Sequence, residues 1–266
     1  MLGVRIDDFS ESRVLDMVRA WMSKGDAKII VTPNAEFLLK ARKDRGFLDR
    51  LLSADLSVAD SVSIRYAVAA LTNGRLLNRI TGVDLVQQIA KVCKQEGKKL
   101  LLLGGDAGSA KQSAENLRTK YPGLSVITFD PGIIRFGGDK LTILDAVEKL
   151  INSEQPNVIA VALGQGKQEA FMEAVKNNGY NVDVMIGIGG AFEMISGQKL
   201  RSPNWMRKLG LEWLWRVILE PSRARRIINA SIIFPFIVVT ESIKQKRFLK
   251  ACKNVFPEVF RQLRGL

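Results

Sequence analysis

Residues 99–106 read KLLLLGGD, an unbroken apolar run that ends in two glycines and an aspartate. Residues 158–166 (VIAVALGQG) and 182–191 (VDVMIGIGGA) follow nearly the same plan. Strands that are continuously apolar, rather than alternating, are typical of parallel sheets with both faces buried. The three runs therefore predict buried parallel strands, each leading into a glycine turn.

Shorter apolar runs and helical patterns surround these three strands. Further strands are predicted at residues 28–31, 56–58 and 125–129. The predicted helices cover residues 10–24, 34–42, 83–96, 109–120, 140–152 and 168–177. Alternating strands and helices predict a Rossmann-like α/β fold, with a mostly parallel sheet flanked by helices. We expect this domain to span residues 1–198, and a helical, basic, membrane-binding appendage to span residues 199–266.

The net charge of +13 is concentrated in the expected appendage. From residue 199 onward there are 15 Lys and Arg against 4 Asp and Glu, so 11 of the 13 net charges lie there. A basic segment on a nearly neutral body predicts an anionic partner, which charge alone leaves open between phospholipid, nucleic acid and diphosphate.

The sequence contains no histidine. Ser-His and Cys-His catalysis and imidazole-ligated metal sites are therefore excluded, and carboxylates must carry any proton transfer. The two cysteines, Cys93 and Cys252, lack metal-ligand spacing and are typical of reduced cytosolic thiols. We expect no metal site built from imidazole or thiolate ligands, and no cofactor. The start of the chain does not resemble a signal peptide, which predicts a body that stays in the cytoplasm.

The glycine turns are candidate phosphate sites. Ligands of open α/β sheets bind beyond the carboxyl ends of the strands, where glycines let backbone amides approach an anion. The candidates in these turns are Gly104, Gly105, Gly164, Gly189 and Gly190, and the polar residues Lys167 and Gln168 follow the second turn. The alternative is that each glycine only makes a tight turn. The sequence contains neither a full G-x-G-x-x-G with a ribose-binding acid nor a P-loop.

Polar residues also follow the two shorter N-terminal strands. Thr32 and Asn34 are candidates for hydrogen bonds to a sugar or phosphate, although Asn34 alternatively caps a helix. Asp60 is the leading general-base candidate because histidine is absent, and its alternative role is also a cap. Arg79 and Thr81 precede a helix and suit a phosphate-facing role, with a surface ion pair as the alternative.

The basic segment has an amphipathic composition. Residues 203–216 carry three of the four tryptophans among arginines and lysines, which is typical of a helix in a membrane interface. The apolar run at residues 227–239 is too short to span a bilayer. Arg216, Arg223 and Arg226 return to one helical face if the helix continues through Pro221, and arginine forks suit diphosphate. The alternative to a membrane helix is that the tryptophans of this segment pack in the protein core while its basic face is in contact with water.

In this order, several motifs closely resemble the WecG/TagA/CpsF family of bacterial glycosyltransferases (glycosyltransferase family 26). They include TPN at 32–34, RITGVD at 79–84 and KQE at 167–169, and the similarity covers most of the chain. The resemblance implies inverting, metal-independent transfer of a sugar, typically N-acetylmannosamine or its uronic acid. It implies a UDP-sugar donor, a polyprenyl-diphosphate-linked N-acetylglucosamine acceptor and peripheral attachment to the cytoplasmic face of the membrane.

The resemblance also assigns roles to individual residues. Asp60 matches the proposed base, and the turn from Gly187 to Glu193 matches part of the nucleotide site. The remaining matches are pocket residues and tail arginines thought to reach the pocket, namely Thr32, Asn34, Arg79, Gln168, Arg216, Arg223 and Arg226.

The sequence departs from the family pattern at Ser61, Ser63, Gly166 and Glu193. The donor therefore stays open, with a UDP-hexose or UDP-N-acetylmannosaminuronate as alternatives. A second alternative that stays open is that the protein is a non-catalytic membrane subunit that binds a nucleotide sugar. We expect an anionic membrane surface and not nucleic acid as the partner of the basic segment, because its tryptophans and apolar run favour lipid. A homo-oligomer is left open.

Overall fold

A computed structural model describes residues 1–264 of the 266, apart from residues 23, 133–135, 138–139, 142–143, 204, 207–208, 210, 220 and 222–223. At residues 136–137, 140–141, 144–145, 212–213, 216 and 225–226 it describes the backbone alone.

Six parallel strands form the central sheet, in the order β2-β1-β8-β7-β3-β4. They are β1 (Lys28–Val31), β2 (Leu56–Ser57), β3 (Leu100–Gly104), β4 (Val126–Phe129), β7 (Val158–Ala162) and β8 (Val184–Gly187). A separate antiparallel pair consists of β5 (Phe136–Gly137) and β6 (Lys140–Leu141). The predicted α/β fold class, with its parallel sheet flanked by helices, is confirmed.

Helices connect the strands of the sheet. They are α1 (Glu11–Trp21), α2 (Ala35–Ala41), α3 (Arg45–Ser53), α4 (Val62–Leu71), α5 (Gly82–Gln95), α6 (Ser109–Lys120), α7 (Leu144–Glu154), α8 (Lys167–Asn177) and α9 (Ala191–Ile195). The predicted helix at 140–152 begins four residues later, because residues 140–141 pair with 136–137 as strands.

Most of the described part of the C-terminal segment is helical. It contains α10 (Glu212–Leu219), α11 (Ala224–Ile228), a π-helical segment (Asn229–Ile233), α12 (Phe234–Lys244) and α13 (Phe248–Leu263). Phe234, Val238 and Ala251 are buried in the same core cluster as the sheet residues Leu101 and Leu103. In the described part of the chain, no helix combines the length and the apolar character needed to cross a bilayer.

Strand β3 shows why its sequence is apolar throughout. Leu101 and Leu103 pack into the core on one face of the sheet, and Leu100 and Leu102 pack into the core on the other face. All four side chains are fully buried. Because helices cover both faces of the sheet, alternate positions have no contact with water and the strand lacks a polar face.

Candidate active site

A cleft of about 390 Å³ lies beyond the carboxyl ends of the adjacent strands β1, β2 and β8. The loops after these strands, the start of α8 and the loop before α5 contribute to its walls. The predicted site residues that line this cleft are Thr32, Asn34, Asp60, Arg79, Thr81, Gln168, Gly189 and Gly190. Residues separated by up to 158 positions are thus brought to one place.

The other predicted site residues have different positions. Among the described residues, those outside the cleft lining are Gly104, Gly105, Gly164, Lys167, Gly187 and Glu193. Glu193 is buried and accepts a hydrogen bond from the Asp106 amide at 2.9 Å. Arg223 lies outside the described residues, as do the side chains of Arg216 and Arg226.

Two hydrogen-bonding side chains follow strand β1. The Thr32 hydroxyl is buried and donates to the carbonyl oxygen of Gly187, at the end of β8, at 2.9 Å. The Asn34 side-chain oxygen accepts from the amides of Glu36 and Phe37 at 3.0 and 3.2 Å, so Asn34 caps α2. Asn34 therefore both caps α2 and lines the cleft.

Asp60 follows strand β2 and lies against the start of α5. One of its carboxylate oxygens accepts from the Gly82 amide, the first residue of α5, at 3.2 Å. Ser61, not Asp60, occupies the N-cap position of α4. Asp60 lines the cleft, and a general base must reach the substrate in this way.

Thr81 and Arg201 meet at Asp84 on the same side of the cleft. The Thr81 hydroxyl caps α5 by accepting from the Asp84 amide at 3.2 Å, and it donates to the Asp84 carboxylate at 2.7 Å. Arg201 binds that carboxylate with both terminal nitrogens, each at 2.7 Å. This bidentate contact joins the first residues of the C-terminal segment to the cleft.

Comparison with known proteins identifies the family. The model of the Glycosyl transferase WecG/TagA/CpsF family matches residues 1–248. The chain belongs to this family. The resemblance inferred from the motifs is thereby confirmed, and the protein is a glycosyltransferase.

Two relatives of this family member carry the same name, N-acetylglucosaminyldiphosphoundecaprenol N-acetyl-beta-D-mannosaminyltransferase. One, from Bacillus subtilis (strain 168), is 31% identical over 201 residues, which cover 76% of this chain and 75% of the relative. The other, from Staphylococcus aureus (strain MRSA252), is 28% identical over 257 residues, which cover 95% of each chain.

The cleft of this WecG/TagA/CpsF protein also contains residues outside the predicted site set, of which Ser61 and Ser63 were singled out above as departures from the family pattern. Ser61, Ser63 and Tyr66 come from α4, the helix that directly follows Asp60, or from its N-cap. Burial raises the pKa of Tyr66 above its ordinary value, so the phenol keeps its proton at neutral pH and can donate a hydrogen bond. The signal that could have found them is their place immediately after the candidate base.

A second set of unpredicted lining residues comes from the C-terminal segment. It comprises Arg201, Leu209, Ile227, Ala230, Ser231 and Pro235. Ala230 and Ser231 lie in the π-helical segment, within the apolar run that predicted membrane contact. The C-terminal segment of this glycosyltransferase is therefore one wall of the cleft.

Gly104 offers a stability test of the glycine turns in this glycosyltransferase. Its φ is +86°, and a Cβ there would lie 2.9 Å from the Ala162 carbonyl oxygen and 2.7 Å from a Leu163 methyl. Gly164 has a similar φ of +80° but nothing within 4 Å of a Cβ. We expect Gly104→Ala to lower the free energy of unfolding by about 2–4 kcal/mol, from backbone strain plus overpacking.

Gly164→Ala is the matched control and should cost only the strain, about 1–2 kcal/mol. Urea denaturation followed by tryptophan fluorescence measures both losses. Equal losses in the two variants would show that close packing at Gly104 contributes nothing.

Proposed function

We propose that the protein transfers an N-acetylmannosamine-type sugar from a UDP donor to polyprenyl-diphosphate-linked N-acetylglucosamine, with inversion and without a metal ion. The observation that carries the proposal is that Asp60, Arg79 and Gln168 line one cleft, in a chain whose relatives are named for transfer to this lipid-linked sugar. Such transfer would serve the synthesis of a cell-surface polysaccharide or teichoic acid.

The proposed chemistry is a single displacement at the anomeric carbon. Asp60 accepts the proton of the acceptor hydroxyl while that oxygen bonds to the anomeric carbon and the bond to UDP breaks on the opposite face. The departing UDP gains negative charge. Arg79 lines the cleft, and Arg216, Arg223 and Arg226 belong to the segment that forms one of its walls, so these cations are candidates to stabilise that charge.

The C-terminal helices support attachment to an anionic membrane surface. Many large apolar side chains of α11, the π-helical segment, α12 and α13 are at least 42% exposed. They are Ile228, Ile232, Ile233, Phe236, Val239, Ile243, Phe248, Leu249, Phe256, Phe260 and Leu263. An exposed apolar surface of this extent, in a segment that carries 11 net positive charges, suits the interface of a bilayer with anionic lipid.

The same segment presents small and polar residues to the cleft. Ile232 is 63% exposed, whereas Ala230 and Ser231 in the same π-helical segment line the cleft. A lipid chain held at the exposed side would keep its diphosphate sugar near the cleft mouth. We propose that the protein works as a peripheral protein at the cytoplasmic face of the membrane, where its acceptor is anchored.

A donor panel tests the function directly. The full chain is incubated with anionic vesicles, a short-chain lipid-diphosphate N-acetylglucosamine acceptor and radiolabelled UDP-sugars. We expect labelled disaccharide lipid from UDP-N-acetylmannosamine, in the presence of a metal chelator. Product from only a UDP-hexose or UDP-N-acetylmannosaminuronate would correct the donor. UDP binding without any product would instead support a non-catalytic subunit.

The tail arginines give a second test. We expect Arg223→Gln combined with Arg226→Gln to lower turnover by about 100-fold, because removing a charge-stabilising donor typically costs that much. The matched control is Lys244→Gln combined with Lys253→Gln, which removes two exposed cations from the same segment, outside the cleft lining.

Turnover and vesicle co-sedimentation are measured for both pairs of variants. If the two pairs lose activity only in proportion to lost vesicle binding, the arginines act through the membrane and not on the leaving group.

A further inference from the structure

A buried chain of hydrogen bonds runs behind the cleft wall. The Gly166 amide donates to one carboxylate oxygen of Glu169 at 2.5 Å, and the Gln168 side-chain nitrogen donates to the other at 2.7 Å. The Gln168 side-chain oxygen accepts from the Gly189 amide at 3.1 Å. Gln168 and Glu169 are 1% and 2% exposed, so water does not compete for these contacts.

Glu169 determines which way the Gln168 amide faces. An ionised carboxylate only accepts hydrogen bonds, so the Gln168 nitrogen must face it and the Gln168 oxygen must face the other way. That oxygen then meets the Gly189 amide, within the turn that lines the cleft. With the amide reversed, an oxygen would face the carboxylate and a nitrogen would face the N–H of Gly189.

The turn after β8 is thereby held from two sides. Thr32, at the end of β1, donates to the carbonyl oxygen of Gly187, and Gln168 accepts from the amide of Gly189. A Cβ at Gly187 would lie 2.8 Å from the Gln168 nitrogen, so the glycine makes room for the Gln168 side chain. Two side chains predicted to contact substrate are thus already engaged with the turn.

We propose that Glu169 is a positioning residue: its carboxylate orients the Gln168 amide and, through it, sets the Gly187–Gly190 turn at the cleft wall. The proposal rests on the proposed function, in that this turn faces the bound nucleotide sugar. Glu169 itself does not line the cleft among the described residues, so it acts through Gln168.

A buried carboxylate at this position has a cost, which its hydrogen bonds offset only in part, because the pKa of Glu169 stays above its ordinary value. Burial raises the pKa of Glu169, whereas the hydrogen bonds from Gln168 and from the Gly166 amide, and the charge of Lys40, act to lower it. Burying a charge in this way is costly for a residue that only fills space. A role in orienting the cleft wall accounts for a charge at this position.

Glu169→Gln tests the proposal because glutamine has one side-chain oxygen where glutamate has two. In the native protein three N–H groups, from Gly166, Gly189 and Gln168, meet three side-chain oxygens. With glutamine at position 169 only two side-chain oxygens remain, one on each glutamine. One N–H group must therefore face a second N–H group instead of an oxygen. We expect kcat/KM for the nucleotide sugar to fall about tenfold, the effect of losing one buried hydrogen bond.

Glu173→Gln is the matched control on the same helix. Glu173 pairs with Arg50 at 3.0 Å at the half-buried surface and takes no part in the chain of hydrogen bonds. We expect Glu173→Gln to change kcat/KM less than twofold. A fall in Glu173→Gln as large as that in Glu169→Gln would overturn the proposal, because it would show a general effect of removing charge from α8.

The exchange of the two side chains gives a readout that does not depend on activity. When Gln168→Glu is combined with Glu169→Gln, the introduced glutamine can accept from the Gly166 amide and donate to the introduced carboxylate. That carboxylate can in turn accept from the Gly189 amide. The resonances followed are the ¹⁵N-labelled glycine amides of Gly189 and Gly190. We expect them to shift in Glu169→Gln, and to return towards their native positions in the exchanged protein.

Unshifted Gly189 and Gly190 amides in a folded Glu169→Gln protein would overturn the proposal. The proposal would also be overturned if the Gly189 and Gly190 amides stayed displaced in the exchanged protein. If Glu169→Gln does not fold, the exchanged protein alone provides the test. Absence of sugar transfer by the native protein, with the expected amide shifts, would refute the proposed function and leave the positioning role of Glu169 intact.

Discussion

Asp60→Asn should lower the turnover number by a factor of about 100 to 10,000, the range for loss of a general base. Asparagine has nearly the size of aspartate, and its side-chain oxygen can still accept the hydrogen bond that the Gly82 amide donates to Asp60. The amide has negligible basicity at neutral pH, so it cannot take the proton of the attacking hydroxyl. UDP affinity should stay within about twofold, because Asp60 acts on the acceptor in the proposed mechanism.

Two measurements separate chemistry from binding in this variant. Initial rates with saturating acceptor give the turnover number, and isothermal titration with UDP gives the affinity. Asp130→Asn is the matched control, because Asp130 is an exposed aspartate outside the cleft lining and should leave both values unchanged. Turnover of Asp60→Asn near the native rate would rule out Asp60 as the base.

Glu258→Gln should lower the free energy of unfolding by about 3 kcal/mol, the low end of the range for breaking a buried ion pair. Glu258 lies on α13 with a side chain that is 0% exposed. Its two carboxylate oxygens contact Arg75 at 2.6 Å and Arg261 at 3.1 Å. The low end applies because Arg75, with 55% of its side chain exposed, can turn to water when the carboxylate is lost.

Arg65 explains why this carboxylate is needed between α4 and α13. It is only 5% exposed, and its pKa is lowered by burial and by the charges of Arg261 and Arg79, whereas Glu258 acts in the opposite direction. Glutamine at position 258 would remove the negative charge that Glu258 brings to these cations. Because α4 also carries Tyr66 in the cleft wall, we expect activity to fall together with stability.

Urea denaturation measures the loss, and Glu154→Gln is the matched control. Glu154 forms a partly exposed ion pair with Lys99 at 3.0 Å, and breaking such a pair costs less than about 1 kcal/mol. A loss in Glu258→Gln no larger than in Glu154→Gln would show that the buried cluster does not hold α13 in place. Limited proteolysis at the C-terminal segment reports the same detachment independently.

Much of the α/β body could be predicted because its signals are local. Buried strands read as apolar runs, and Asn34 and Thr81 occupy N-cap positions that their residue types predict. Helix α4 was not predicted because it lacks a polar face: Ile64, Ala67 and Ala69, which lie on different sides of the helix, are all buried, and α13 packs on the same helix. A helix covered on several sides has no amphipathic pattern to detect.

Eight of the residues that line the candidate site could be named from the sequence, but their arrangement could not. Thr32, Asp60 and Gln168 follow strands β1, β2 and β7. They share a cleft because β7 lies beside β8, β8 beside β1 and β1 beside β2. The hydrogen bonds from Thr32 to Gly187 and from Gly189 to Gln168 depend on that strand order. The strand order cannot be predicted from any pattern that spans only a few residues.

By itself, the sequence determined the α/β class, the glycine turns, the candidate base and the basic character of the C-terminal segment. These features follow from the residue types and from contacts between near neighbours in the chain. Only the tertiary structure decided that the C-terminal segment forms a cleft wall, that Glu258 lies buried among arginines of α4 and its neighbours, and that the Gln168 side chain donates to the buried Glu169. Those outcomes depend on packing between distant segments, where burial changes what a charged side chain can do.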